Sequence, residues 1–227
     1  MEIIITQNKQ LAELEVAKLI QAQVQQKADS LLGLATGRTM ESVYQKLIDA
    51  ELDFSQASTV NLDEYVGLPA SHSQSYRYYM NDKLFNHINI NKENTQLPNG
   101  MADNIPEECQ KYENFIEQSG GIDLQLLGIG TDGHIGFNEP GSSLASKTRI
   151  KTLTKETIEQ NGPIFGSAEE VPKHALTMGV ATIMAAHKVI LLATGSAKAD
   201  IIAEAAEGPL TSWVTASVLQ MHPSTIV

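Results

Sequence analysis

Basic residues are scarce in this sequence: 16 Lys and Arg stand against 27 Asp and Glu, a formal charge of −11. Nucleic acid and membrane surfaces both attract proteins through a cationic face, so this balance excludes them as general partners. Any anionic ligand has to be gathered by a local cluster of cations and backbone N–H groups. Cysteine is almost absent. With Cys109 alone no internal disulfide can form, and its acidic surroundings, IPEECQKYENF, read as an exposed helix without a base to activate the thiol. No apolar stretch approaches the ~20 residues of a membrane span. The first ten residues have neither a basic lead-in nor a small-residue cleavage site, so a cytoplasmic location is expected. Internal repeats and low-complexity linkers are missing too, which excludes a solenoid. There is no GxxxxGK[ST] loop for a nucleotide triphosphate, and neither HExxH nor a Cys/His spacing for zinc.

What is present is a chain of 227 residues, 42% hydrophobic, long enough for one compact domain over 1–227 with a sizeable core. Short apolar runs alternate with helical patterns. Ile3 to Ile5 reads as a first strand and precedes a helix with Leu11, Ala12, Val16, Leu19, Ile20 and Val24 at helical spacing. Leu31 to Ala35 stops at Thr36-Gly37 before a helix that turns Val43, Leu47 and Ile48 inward. Further runs cover Thr59 to Leu62, Leu124 to Ile129 and Val189 to Thr194, while Asn89 to Asp103 reads as a surface excursion. This alternation predicts an α/β fold of three layers, a mostly parallel sheet with helices on both faces.

In such sheets ligands collect beyond the carboxyl ends of the strands, where the polar motifs of this sequence fall. Thr36-Gly37-Arg38-Thr39 and Thr194 to Lys198 each place a glycine between a strand and a helix. That geometry lets backbone N–H groups and a helix dipole meet an anion, with Arg38 and Lys198 able to add charge. Either loop alone is equally ordinary turn chemistry; two in one chain make a phosphate cradle the stronger reading. GIGTDG has a superficial dinucleotide spacing but lies late and opens no evident helix.

Asp132, His134 and Glu139 crowd into eight residues of the glycine-rich stretch GIGTDGHIGFNEPG. Imidazole titrates near neutrality, and flanking carboxylates can fix its tautomer and stabilise its charged form. Turn capping and a solvated histidine are the plainer account of each residue taken singly. Asp63 and Glu64 follow another strand, and one of them should face the cleft. A carboxylate beside a histidine and a phosphate site is what proton transfer between adjacent sugar carbons requires, as in aldose-ketose isomerisation.

These residues carry a family resemblance. LGLATG, NLDEYVGL, LGIGTDGHIGFNEPGSSLASKTRIKTLT, VPKHALTMGVATIM, ILLATGSAKADII and LQMHP resemble glucosamine-6-phosphate deaminases in the family's order and over nearly the whole chain. The resemblance implies conversion of glucosamine 6-phosphate and water to fructose 6-phosphate and ammonia, with no metal or redox cofactor. It implies that Asp63 shuttles a proton between C2 and C1 of the open-chain sugar. His134 would assist ring opening, with Asp132 and Glu139 orienting and tuning it. Thr36, Gly37, Thr39 and Lys198 would hold the phosphate.

Two departures bear on that site. Where the family usually shows Asn-Ser-Arg-Phe-Phe, with an Arg that helps bind phosphate, this chain reads Asn161-Gly162-Pro163-Ile164-Phe165. Arg38 stands where the family usually has Ser or Gly, and so is a candidate for the missing charge. Arg149 and Lys151 match allosteric positions of longer relatives, yet basic residues on a strand or loop are ordinary solvated charges, and no regulation is inferred. The chain also stops at Val227, where relatives often run on. Galactosamine 6-phosphate is the nearest alternative substrate. Lactone hydrolysis of 6-phosphogluconolactone and a non-catalytic sugar-phosphate-binding regulator follow, and oligomeric state stays open between monomer and homo-oligomer.

Overall fold

The computed structural model describes residues 1–227. Helix α1 (Lys9–Gln26) leads into strand β1 (Leu31–Leu34), helix α2 (Arg38–Asp49) and strand β2 (Ser58–Asn61). After β3 (Asp63–Tyr65) come α3 (Tyr76–Met80), continued by one π-helical turn, then β4 (Thr95–Gln96), α4 (Ile105–Gln118) and β5 (Leu124–Leu127). The remainder is β6 (Arg149–Thr152), α5 (Lys155–Phe165), β7 (His174–Thr177), α6 (Val180–Met184), β8 (Val189–Leu191), α7 (Ala199–Glu207) and β9 (Thr225–Ile226).

Six of these strands form one parallel sheet in the order β4-β2-β1-β5-β8-β9. The central strands β1 and β5 are buried at every position, which is why they read as continuous apolar runs rather than alternating ones. From β1 the chain steps outward to β2; from β5 it steps the other way, to β8. Right-handed crossovers in opposite directions place their helices on opposite faces, which gives the three layers expected from the alternation. The strand order reverses between β1 and β5, and because all six strands run the same way, the loops after β1, β2, β5 and β8 open on one edge.

Several expectations are corrected. Ile3 to Ile5 is not a strand: only Glu2 bridges Ile226, and Ile5 is 92% exposed, because the partner β9 is two residues long and lies at the sheet edge. Asp63 and Glu64 do not sit in a loop after β2. The chain leaves the parallel sheet at Leu62, and Asp63 starts a second, antiparallel sheet of order β3-β7-β6, with Asp63 opposite Thr177. The excursion around Asn89 to Asp103 contains β4, pairs with β2, and buries Thr95 and Leu97. Cys109 is buried at 8% exposure on the inner face of α4, together with Tyr112 and Ile116, and burial pushes its thiol pKa up. No helix is long and apolar enough to cross a membrane.

Candidate active site

Gly37 and Gly195 end the loops after β1 and β8. Both hold positive φ, +113° and +89°, a region that side-chain-bearing residues rarely adopt. Open space surrounds the point where a Cβ would stand on either, so conformation and not crowding requires glycine there. No side chain caps the start of α2 or the 3₁₀ turn Ser196–Lys198 that leads into α7. The first N–H groups of both are thus left for a ligand or water.

Between these loops lies a cavity of about 650 Å³ whose lining draws on all four strand ends. Thr36, Gly37, Arg38 and Thr39 border it after β1, Leu62 and Asp63 after β2, Gly128 to Thr131, His134 and Gly136 after β5, and Thr194 and Lys198 after β8. Arg38 and Lys198 are the two cations of the lining. The Lys198 ammonium donates to the carbonyl of Ile129 at 2.8 Å, and burial lowers its pKa while Asp132 pulls it back up. The Arg38 guanidinium is exposed and unpaired at the mouth.

Strand alternation separates the two acidic neighbours. Asp63 turns its carboxyl into the cavity, where no protein donor meets it; burial, and secondly the charge of Glu64, raise its pKa from 3.8 to about 8. Glu64 points away and accepts from the N–H groups of Tyr65, Tyr76 and Arg77 at 2.9, 3.0 and 2.9 Å, clamping the start of α3. Burial raises its pKa, and those three N–H groups and Arg77 oppose the rise.

The glycine-rich loop is folded tightly against this carboxyl. A Cβ on Gly130 would stand 2.4 Å from the His134 ring, and one on Gly136, at φ +57°, would stand 3.5 Å from Asp63 Oδ2. At Gly130 a side chain would collide with the imidazole, so glycine is what lets the loop close over the ring there. Asp132 Oδ1 accepts from the His134 backbone N–H at 3.2 Å and lies 2.6 Å from its Nδ1. At that separation the two form an ion pair whenever the imidazole is protonated. Burial opposes ionisation of Asp132, but the hydrogen bond and charge of His134 outweigh it and leave the pKa lowered.

Of the nine residues singled out in the sequence, Thr36, Gly37, Arg38, Thr39, Asp63, His134 and Lys198 line the cavity and Asp132 stands behind His134. Glu139 does not border it. Its buried carboxylate accepts from the Thr154 N–H (2.9 Å), the Thr154 hydroxyl (2.9 Å) and the Thr157 hydroxyl (2.6 Å) at the start of α5. That helix brings Thr157, Gln160 and Asn161 to the cavity, whereas Pro163 faces solvent. Tyr76 and Phe137 also line it and were not singled out. For Tyr76 the sequence holds no local signal; for Asn161 the helical spacing from Thr157 was available. Arg149 is half-buried and donates to Asn138 Oδ1 at 3.0 Å, so it is not a freely solvated charge.

A parallel α/β sheet with uncapped helix starts, two cations and proton-handling groups gathered at the reversal of strand order defines an enzyme of small-molecule metabolism. Residues 7–226 match the family of glucosamine-6-phosphate isomerases and 6-phosphogluconolactonases, and the chain belongs to that family. It is 50% identical to the glucosamine-6-phosphate deaminase of Thermoanaerobacter pseudethanolicus, covering 100% of this chain and 91% of that one. The glucosamine-6-phosphate deaminase of Clostridium perfringens is 46% identical, with 100% and 96% covered. Among solved structures, a monomeric glucosamine-6-phosphate deaminase superposes with a TM-score of 0.97 at 40% identity, covering 100% of this chain and 96% of that one. A 6-phosphogluconolactonase from Thermotoga maritima shares the fold at TM-score 0.76 and 20% identity, with 99% and 95% covered.

Proposed function

We propose that this protein converts glucosamine 6-phosphate and water into fructose 6-phosphate and ammonia. The observation that carries the reading is Asp63: a buried carboxyl without a protein donor, raised toward neutrality, facing the cavity that His134 and the two uncapped helix starts also border. The identity of about half of all residues with relatives named for this reaction supports the substrate.

The phosphate rests on the N–H groups at the start of α2 and of the Ser196–Lys198 turn, with the Thr36 and Thr39 hydroxyls beside it. Lys198 and Arg38 neutralise its charge, Arg38 taking the place of the arginine that Pro163 replaces. His134, held by Asp132, moves protons at the ring oxygen and anomeric hydroxyl to open the sugar. Asp63 then removes the proton from C2 and returns it to C1, so that the enolamine becomes a C2 imine. Water adds to that imine and ammonia leaves, which balances the reaction without an electron acceptor. A carboxylate with a raised pKa suits both halves of this transfer, because it accepts a carbon-bound proton and gives it back. Glu139 acts one step removed, by fixing the start of α5 and with it Thr157, Gln160 and Asn161.

The deciding experiment is ammonia release from glucosamine 6-phosphate and galactosamine 6-phosphate by the protein and by Asp63→Asn. Release from the glucosamine substrate, lost by a factor of ~10²–10⁴ in the variant, is expected for removal of a general acid-base group. Release from the galactosamine epimer alone would reassign the substrate. Hydrolysis of 6-phosphogluconolactone without ammonia would make the protein a lactonase. Thermal stabilisation by both amino sugars with no turnover would make it a binding protein.

A further inference from the structure

Two phenols hold the loop after β1 that would grip phosphate: Tyr44 of α2 donates to the Ala35 carbonyl at its base, and Tyr79 reaches its tip. Tyr79, on α3, donates its hydroxyl to the carbonyl of Gly37 at 2.8 Å, and the same carbonyl accepts the Met40 N–H at 2.9 Å. Burial keeps the phenol's pKa above its ordinary value, and Glu41 adds to this, so it remains a donor at any working pH. Gly37 needs such a hold. At φ +113° and ψ 162° it occupies a region open to glycine, and with no side chain of its own to pack, its carbonyl is held by the hydrogen bonds from Met40 and Tyr79.

A trans peptide carries its N–H opposite its carbonyl. Drawing the Gly37 carbonyl toward Tyr79 therefore turns the Arg38 N–H the other way, along the exposed start of α2 where an anion would sit. The far end of the strut is anchored as well. Glu64, the neighbour of Asp63, accepts the Tyr76 and Arg77 N–H groups at the start of the same helix. An unbroken path thus runs from the proton-transferring carboxylate through α3 to the phosphate loop.

We propose that Tyr79 is a positioning residue that orients the Gly37–Arg38 peptide for phosphate. The inference rests on the phosphate cradle of the function proposed above, and its test separates the two. Inorganic phosphate binding is measured by calorimetry, and KM and kcat for glucosamine 6-phosphate by ammonia release, for the full chain and for Tyr79→Phe. The phenylalanine keeps the ring and removes only the donor. Phosphate Kd and KM are expected to rise together by ~3–10-fold, the usual scale for one hydrogen bond, with kcat within about twofold and Tm within ~2 °C. Gly37→Ala, which disturbs the same peptide from within the loop, should weaken phosphate binding at least as much. Unchanged phosphate affinity in Tyr79→Phe, a loss confined to kcat, or a fall in Tm of more than ~5 °C would each overturn the proposal. Absence of ammonia release by the unmodified protein would sink the functional reading instead, while the phosphate comparison would still decide the role of Tyr79.

Discussion

At Asp63 stability and activity pull in opposite directions. Its folded pKa of about 8 lies above the ordinary 3.8, so between those values the folded protein binds a proton that the unfolded chain releases. The contribution of this group to stability is therefore complete below about 3.8 and disappears as pH rises through about 8. Asp63→Asn keeps the shape and removes the ionisation. It should gain stability on the unmodified protein as pH climbs from 5 to 9, by up to a few kcal/mol, or on the order of 5–10 °C in Tm. Melting curves at those pH values check the claim, and a Tm difference that is flat or shrinks with pH would show that Asp63 is not a buried acid. Arg38 makes the opposite case. It is exposed and unpaired, so Arg38→Ala should leave Tm within ~1 °C, yet raise KM for the sugar phosphate by roughly 10–100-fold with kcat little changed, the cost of one charge-assisted contact. Full affinity in that variant would return the phosphate to Lys198 and the backbone alone.

Helix α5 shows how an element can be catalytic in place and structural in attachment. Its first turn hangs on Glu139, which meets two threonine hydroxyls and a backbone N–H from inside the protein. Glu139→Gln would turn an amide N–H₂ toward donors that need an acceptor. A loss of ~1–3 kcal/mol, roughly 3–10 °C in Tm, should accompany a fall in kcat/KM as Thr157, Gln160 and Asn161 lose their footing. A variant with unchanged Tm but altered kinetics would place Glu139 in the chemistry itself. The sequence made Glu139 conspicuous because it lies five residues from His134, and it could not show that the carboxylate turns away. Legibility divides along the same line elsewhere. β1, β5 and β8 were visible because strands buried on both faces must be apolar, and the glycines that end them mark turns whose function follows from backbone geometry. β3 and β6 were not, since three acidic and aromatic residues and an alternating basic stretch become strands only by pairing with β7, more than a hundred residues from Asp63 in the first case. The burial of Cys109 was readable in principle: Cys109, Tyr112 and Ile116 recur at helical spacing, and the flanking acids that made the segment look exposed belong to the other face. Tyr79 had no signal, because its role depends on where Glu64 pins a five-residue helix.

Across the whole molecule, an anionic ligand must approach a protein of net charge −11 before it reaches the two cations at the end of the parallel sheet. Long-range repulsion acts over the Debye length, ~30 Å at 0.01 M salt but ~8 Å at 0.15 M, whereas Arg38 and Lys198 act at contact with the phosphate, a distance far shorter than either, where salt screens them less. The two effects thus respond differently to ionic strength. Raising salt from about 0.01 to 0.15 M should first increase kcat/KM severalfold as the approach is relieved, and higher salt should then lower it as the contacts at the phosphate weaken. The turning point should vanish in Arg38→Ala, whose remaining cation is tied to the Ile129 carbonyl, leaving a curve dominated by the screened repulsion. Steady-state rates across a salt series, at fixed pH and with a counter-ion that does not compete for the phosphate site, read this directly. A monotonic fall from the lowest salt onward would mean that the mouth of the cavity attracts its ligand from a distance, and that the acidic surface is turned away from the path of entry.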